Sequence, residues 1–69
     1  MSYAQAMGEE GELMTEQEVA DLLRVSLSAV KRLRFTGKGP RYIRISPRVV
    51  RYPRRDVIEW MEQGGAEEP

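Results

Sequence analysis

Cysteine and histidine are both missing from this chain of 69 residues. Without cysteine no disulfide can stabilise the fold, and no thiolate is present to bind a metal ion or attack a substrate. Without histidine the chain also lacks the commonest general base and the commonest zinc ligand. No phosphate-cradling glycine-rich loop and no paired carboxylates in an apolar setting are found either. The sequence therefore predicts a protein that is not an enzyme, with no catalytic residue, no metal site and no cofactor.

Long apolar runs are absent as well, since no stretch approaches the length of a membrane span. The first twelve residues contain no base and no apolar core of the kind found in signal peptides. We therefore expect a cytoplasmic protein that does not associate with membranes. The length allows one domain, close to the lower limit for an independent core.

Acidic and basic residues are separated along the chain, so that each part lacks charge of one sign, although the formal net charge is zero. Residues 1–21 contain six acids and no base, residues 22–55 contain eleven bases and no acid, and residues 56–69 contain five acids and no base. Because a polyanion responds to the local field, this sorting matters more than the sum. It indicates a basic middle segment suited to nucleic acid, between two acidic segments.

Two short helical patterns occupy residues 15–36. Thr15 begins the first helix, predicted over 15–23, because Glu18 follows at capping-box spacing. Ser26 caps a second helix, predicted over 27–36, and a glycine ends it. A short helix, a tight turn and a second helix with small polar and basic residues near its start are typical of a DNA-binding helix-turn-helix.

Two β-rich runs follow, at 41–45 and 49–52, and the turn residues 46–48 between them predict a hairpin. Such a hairpin after a helix-turn-helix is typical of a wing. A third helix is predicted after Pro53. Tyr52 and Trp60 are expected in the core, whereas the place of Phe35 stays open.

The predicted fold is therefore mostly α with a β-hairpin: a winged helix-turn-helix of three helices plus a two-stranded wing. The ordered domain is predicted over 13–63. Residues 1–12 show no sustained periodicity and are expected to form a disordered acidic tail, and residues 64–69 a short acidic tail.

Three segments together resemble a known family: LRFTGKGPRYIRI at 33–45, VRY at 50–52 and DVIEW at 56–60. They are similar to the small winged-helix excisionases, or recombination directionality factors, a MerR-like fold, with the mycobacteriophage excisionases most similar. The resemblance covers about residues 13–62. Arg24 departs from it, since many helix-turn-helix turns carry glycine there, and this predicts a differently shaped turn. The wing turn also lacks the commoner glycine.

The resemblance implies a sequence-specific double-stranded DNA-binding excisionase, which bends attachment-site DNA and directs an integrase towards prophage excision in a bacterial host cell. The implied partners are double-stranded DNA, an integrase and neighbouring copies of the chain bound to DNA. Two alternatives stay open: a small transcriptional regulator with the same winged-helix domain, and a protein-interaction module that binds an acidic partner instead of DNA.

Candidate DNA-binding residues fall into three groups. The second helix is expected to read base edges in the major groove with Ser26, Leu27, Ser28, Lys31 and Arg32. The wing is expected to bring arginines to a narrow minor groove, namely Arg44, Arg48 and Arg51. Phosphate contacts are expected from Lys38, Arg41, Arg54 and Arg55. The alternative for the second helix is a solvated helix face, and the alternative for the wing is an edge hairpin kept soluble by its charge.

Assembly along DNA is expected from the acidic segments. The predicted acids are Glu16, Glu18 and Asp21 of the first helix and Glu59 and Glu62 of the third. They would meet Lys38 or Arg54 of a neighbouring copy in a head-to-tail contact, which need not close and so can repeat. A small polar contact of this kind is weak, so we expect a monomer in free solution.

Overall fold

A computed structural model describes residues 12–66, and within this range the chain forms three helices and a three-stranded antiparallel sheet. The elements in order are β1 (Leu13–Met14), α1 (Glu16–Leu23), α2 (Leu27–Thr36), β2 (Ile43–Ser46), β3 (Val49–Pro53) and α3 (Arg54–Glu62). The predicted winged helix-turn-helix is therefore confirmed. Most of the two predicted tails, residues 1–11 and 67–69, lies outside the described residues.

The first helix begins at the predicted capping box. The Glu18 amide donates to the Thr15 hydroxyl at 3.1 Å, and the Thr15 amide donates to the Glu18 carboxylate at 2.9 Å. At the other end, Arg24 has φ 58° and ψ 44°. The prediction of a differently shaped turn is wrong, because Arg24 adopts the left-handed conformation that glycine favours. The turn thus has the backbone conformation that glycine would give it, and Arg24 carries the strain that a Cβ causes there.

The second helix has the predicted bounds. The Ser26 hydroxyl accepts from the Ala29 amide at 3.1 Å, and Gly37 ends the helix with φ 73°. The chain then passes close to α2 at Gly39, where an added Cβ would lie 2.9 Å from the Leu33 Cβ. A glycine is therefore needed to bring the segment after α2 against the helix.

The middle strand of the sheet is β3, with β1 on one side and β2 on the other. The β2–β3 hairpin, with its turn at Pro47 and Arg48, is the predicted wing. The short strand β1 is absent from the sequence prediction. Its pairing continues through Glu12, whose carbonyl accepts from the Arg54 amide at 2.7 Å. This contact ties the start of α3 to the start of the described chain.

The core is small and lies where α1, α2 and α3 meet β3. Its buried side chains are Met14, Val19, Ala20, Val30, Val50, Tyr52 and Val57. Tyr52 is buried as predicted, but the prediction for Trp60 is wrong: it is only half-buried. Its indole nitrogen donates to the Lys38 carbonyl at 3.1 Å, so the ring stays at the edge where this polar group finds a partner. Phe35 lies at the surface, 76 % exposed.

Candidate nucleic-acid interface

The outward face of α2 carries three of the five predicted base-reading residues. Ser28, Lys31 and Arg32 are exposed, and their spacing of three and four residues places them on one side of the helix. Within residues 12–66 their side chains form no hydrogen bond, so they are available to a ligand. Leu27 is half-buried, and the hydroxyl of Ser26 is occupied by the helix cap.

A shallow depression brings part of this group together. Ser26, Ser28 and Arg32 line it, with Ala29 and Leu33 forming the apolar part of its surface. A guanidinium and two small hydroxyl side chains therefore border one concave patch at the N-terminal half of α2. Such a patch offers hydrogen-bond donors and acceptors of the kind that pair with a base edge.

The three predicted wing arginines differ in exposure and in the hydrogen bonds that they form within the hairpin. Arg48 lies in the exposed turn at the tip. Arg44 is exposed, but one of its terminal nitrogens donates to the Pro47 carbonyl at 3.1 Å. Arg51 is half-buried and donates to the Val50 carbonyl at 2.8 Å. Arg44 thus links β2 to the turn, Arg51 contacts only its neighbour in β3, and Arg48 lies at the exposed tip.

The predicted phosphate-contacting residues also differ in exposure and in the acids that lie near them. Lys38, Arg41 and Arg55 are exposed, and Arg54 is half-buried at the start of α3. Arg41 borders a depression that also contains Asp56 and Glu59, whose charges oppose its field. Arg55 shares a second depression with Glu59 and Glu62. The positive field is therefore less diluted by acids around α2 than around α3.

A polar cluster of Glu16, Arg34 and Tyr52 was not foreseen from the sequence. The Arg34 Nε donates to the Glu16 Oε2 at 2.5 Å, and the Tyr52 hydroxyl donates to the same oxygen at 2.9 Å. The side chains of Arg34 and Glu16 are only 14 % and 12 % exposed. The cluster joins α2, α1 and β3. The available signal was the position of Arg34, four residues after the core residue Val30 and so on the inner side of α2.

The electrostatics of this cluster favour its charged pair. Burial raises the pKa of the Glu16 carboxyl, but the hydrogen bonds from Arg34 and Tyr52 outweigh it and leave that pKa below its ordinary value. The hydrogen bond to Glu16 raises the pKa of Arg34. Burial, together with the hydrogen bond to Glu16, raises the pKa of Tyr52 above its ordinary value. Arg34 is thus a structural residue, although it belongs to the basic middle segment of the sequence.

The acids that were predicted to take part in assembly differ in the contacts that they make within the chain. Glu16 is largely buried in its pair, Glu18 is held in the capping box, and Asp21 accepts from the Gln17 amide at 3.1 Å. On α3, Glu59 accepts from Gln63 at 3.4 Å, and Glu62 is exposed. Each acid of α1 therefore has a partner within its own chain, as Glu59 does, and Glu62 is the one of these five acids that has no hydrogen bond within residues 12–66.

Among residues 12–66, no helix is long and apolar enough to cross a membrane. Within the same range, no three or more aspartates and glutamates are grouped so as to hold a metal ion.

Comparison with protein families matches residues 13–65, which include every element described above, to the family of a helix-turn-helix domain. The chain belongs to this family. No curated protein and no solved structure matches the chain. Membership of the helix-turn-helix domain family supports binding of double-stranded DNA. In helix-turn-helix proteins the second helix of the motif, here α2, is the one that enters the major groove.

Proposed function

We propose that this protein binds a specific sequence of double-stranded DNA, with α2 in the major groove and the wing against the neighbouring backbone and minor groove. The observation that carries the proposal is the outward face of α2, where Ser28, Lys31 and Arg32 stand exposed and unbonded within the described residues. This face belongs to the segment 22–55, which contains no acid.

Some of these residues read base edges, and others position the protein on the DNA backbone. Lys31 and Arg32 donate to guanine acceptors, and Ser28 pairs with an adjacent base edge. Leu27 and Ser26 contribute at the edge of this contact, because one is half-buried and the other caps the helix. In the wing, Arg48 contacts the minor groove from the exposed tip, with Arg44 and Arg51 beside it in β2 and β3. Phosphates are contacted mainly by Lys38. Contacts from Arg41, Arg54 and Arg55 are weaker, because acids of α3 lie beside Arg41 and Arg55 and because Arg54 is half-buried.

The biological role that we propose is that of an excisionase. Its support is the resemblance of residues 33–45, 50–52 and 56–60 to the small winged-helix excisionases. In that role the protein bends attachment-site DNA and recruits an integrase in a bacterial host cell, so that excision of a prophage is favoured. Bending costs about 1–6 kcal/mol, which the added contacts offset. Binding without bending of the duplex would instead favour a small transcriptional regulator.

Neighbouring copies on adjacent sites form part of the same proposal. Glu59 and Glu62 of one copy meet Lys38 or Arg54 of the next, with Lys38 favoured because it is the more exposed base. The contact is small and polar, so the free protein is a monomer and the contact acts only when DNA raises the local concentration.

The deciding experiment measures affinity against salt concentration on a specific duplex and on a scrambled duplex of equal length. Each phosphate neutralised by a base releases counterions, so four such contacts would lower affinity about a hundredfold between about 50 and 200 mM salt. The specific duplex should bind more tightly at every salt concentration. A flat response on both duplexes would contradict DNA binding and favour a protein-interaction module.

A further inference from the structure

The largest apolar side chain on the outer surface of α2 is Phe35. It is 76 % exposed, the highest value among the exposed large hydrophobic residues of the described chain. Phe35 follows Ser28 by seven residues, Lys31 by four and Arg32 by three, so all four share one face of the helix. The face that carries the candidate base-reading residues therefore includes a phenyl ring, which hydrogen bonding and charge do not explain.

The Phe35 ring contacts a cation that is itself anchored in the core. The guanidinium of Arg34 lies over the Phe35 ring, 4.8 Å from its centroid. That guanidinium is fixed by Glu16, and Glu16 also accepts from the buried Tyr52. A ring stacked on an anchored cation samples fewer orientations than a free surface ring. Less conformational entropy is then lost when such a ring is immobilised by a ligand.

We propose that Phe35 determines specificity by packing against the C5-methyl group of a thymine in the major groove. This inference rests on the proposed function, because it needs α2 in that groove. The thymine methyl is the apolar group that base pairs present there, and phenylalanine is among the side chains that contact it. The neighbouring Ser28, Lys31 and Arg32 supply hydrogen bonds but no apolar surface of comparable size.

The test begins with a duplex selected by the protein from a random pool. Each thymine in turn is replaced by deoxyuridine, which removes only the methyl group, and the dissociation constant is measured for the native protein, Phe35→Ala and Lys31→Ala. We expect one thymine whose replacement weakens the native protein about fourfold, the value for one buried methyl-sized group. Phe35→Ala should bind both forms of that duplex equally, whereas Lys31→Ala should bind both more weakly and keep the fourfold ratio.

The outcomes separate this inference from the proposed function. Specific, salt-dependent binding with no methyl-sensitive thymine, or with a methyl effect that persists in Phe35→Ala, would overturn the role of Phe35 and leave DNA binding intact. Loss of thermal stability in Phe35→Ala with an unchanged methyl effect would show that the ring only covers Arg34. Failure of the native protein to bind duplex DNA would overturn both.

Discussion

At the scale of single residues, one carboxylate oxygen connects three elements. The Glu16 Oε2 accepts from Arg34 of α2 and from Tyr52 of β3, while Glu16 itself lies at the start of α1. A partly buried charge is costly without partners, so each donor offsets the desolvation of the other groups. The orientation of α2 on the core is therefore coupled to the ionisation of Glu16.

Acid should weaken the fold through this residue. Because the pKa of Glu16 is lowered in the folded protein, its contribution to stability is present above the unfolded pKa of about 4.5 and is lost as the pH falls through the folded value. We expect the free energy of unfolding to fall more steeply below that pH in the native protein than in Glu16→Gln, as measured by urea denaturation. Glu62→Gln, at an exposed site, serves as the control and should follow the native curve. Parallel curves for the native protein and Glu16→Gln would contradict this account.

The Tyr52 hydroxyl can be tested separately from its ring. Tyr52→Phe keeps the buried ring but removes the donor to Glu16, and a hydrogen bond to a charged group contributes about 1.5 kcal/mol or more. Tyr42→Phe is the matched control, since its ring lies 5.9 Å from that of Tyr52 and its hydroxyl has no hydrogen-bond partner within residues 12–66. Thermal unfolding at neutral pH should show a loss in the first variant and little change in the second. An equal loss of stability in both variants would show that the hydrogen bond from Tyr52 to Glu16 is not the source of the stabilisation.

At the scale of elements, the helices were predictable because their boundaries are set by local chemistry. Thr15, Ser26 and Gly37 each act on backbone groups within a few residues, so the sequence alone locates both ends of α2 and the start of α1. The strand β1 was missed because a run of two residues is too short to show the alternation of a strand. Its partners in β3 also lie about forty positions further along the chain. The pairing of Glu16 with Arg34 was missed for the same reason, since it depends on how α1 packs on α2.

The two left-handed helix ends predict substitutions of opposite sign. Arg24→Gly should stabilise the protein by about 0.5–1 kcal/mol, because relief of a strained Cβ exceeds the entropy that glycine adds to the unfolded chain. Gly37→Ala should destabilise it by about 1 kcal/mol through backbone conformation alone, since an added Cβ there meets no atom within 4 Å. Melting temperatures measured side by side test both. A loss of stability in Arg24→Gly would show that the Arg24 side chain contributes more than its backbone costs.

At the scale of the whole molecule, acids and bases that are separated along the sequence are not fully separated on the folded surface. Arg34 turns inward to Glu16, and Arg41 and Arg55 lie beside acids of α3. The exposed side of α2 was predictable, because helical periodicity separates Val30 from Ser28 and Lys31. The bond of Arg44 to the Pro47 carbonyl was not predictable, since it depends on the geometry of the turn.

The acids of α3 give the last prediction, which concerns assembly on DNA. If Glu59 and Glu62 meet Lys38 or Arg54 of the next copy, a duplex with two adjacent sites should fill cooperatively, whereas the free protein sediments as a monomer. The double variant Glu59→Gln/Glu62→Gln should keep its affinity for one site and fill two sites independently. Asp21→Asn removes an exposed acid of α1, which lies outside the proposed contact, so it should retain cooperativity. Independent filling by the native protein would contradict assembly through α3 and leave the DNA contacts of α2 untouched.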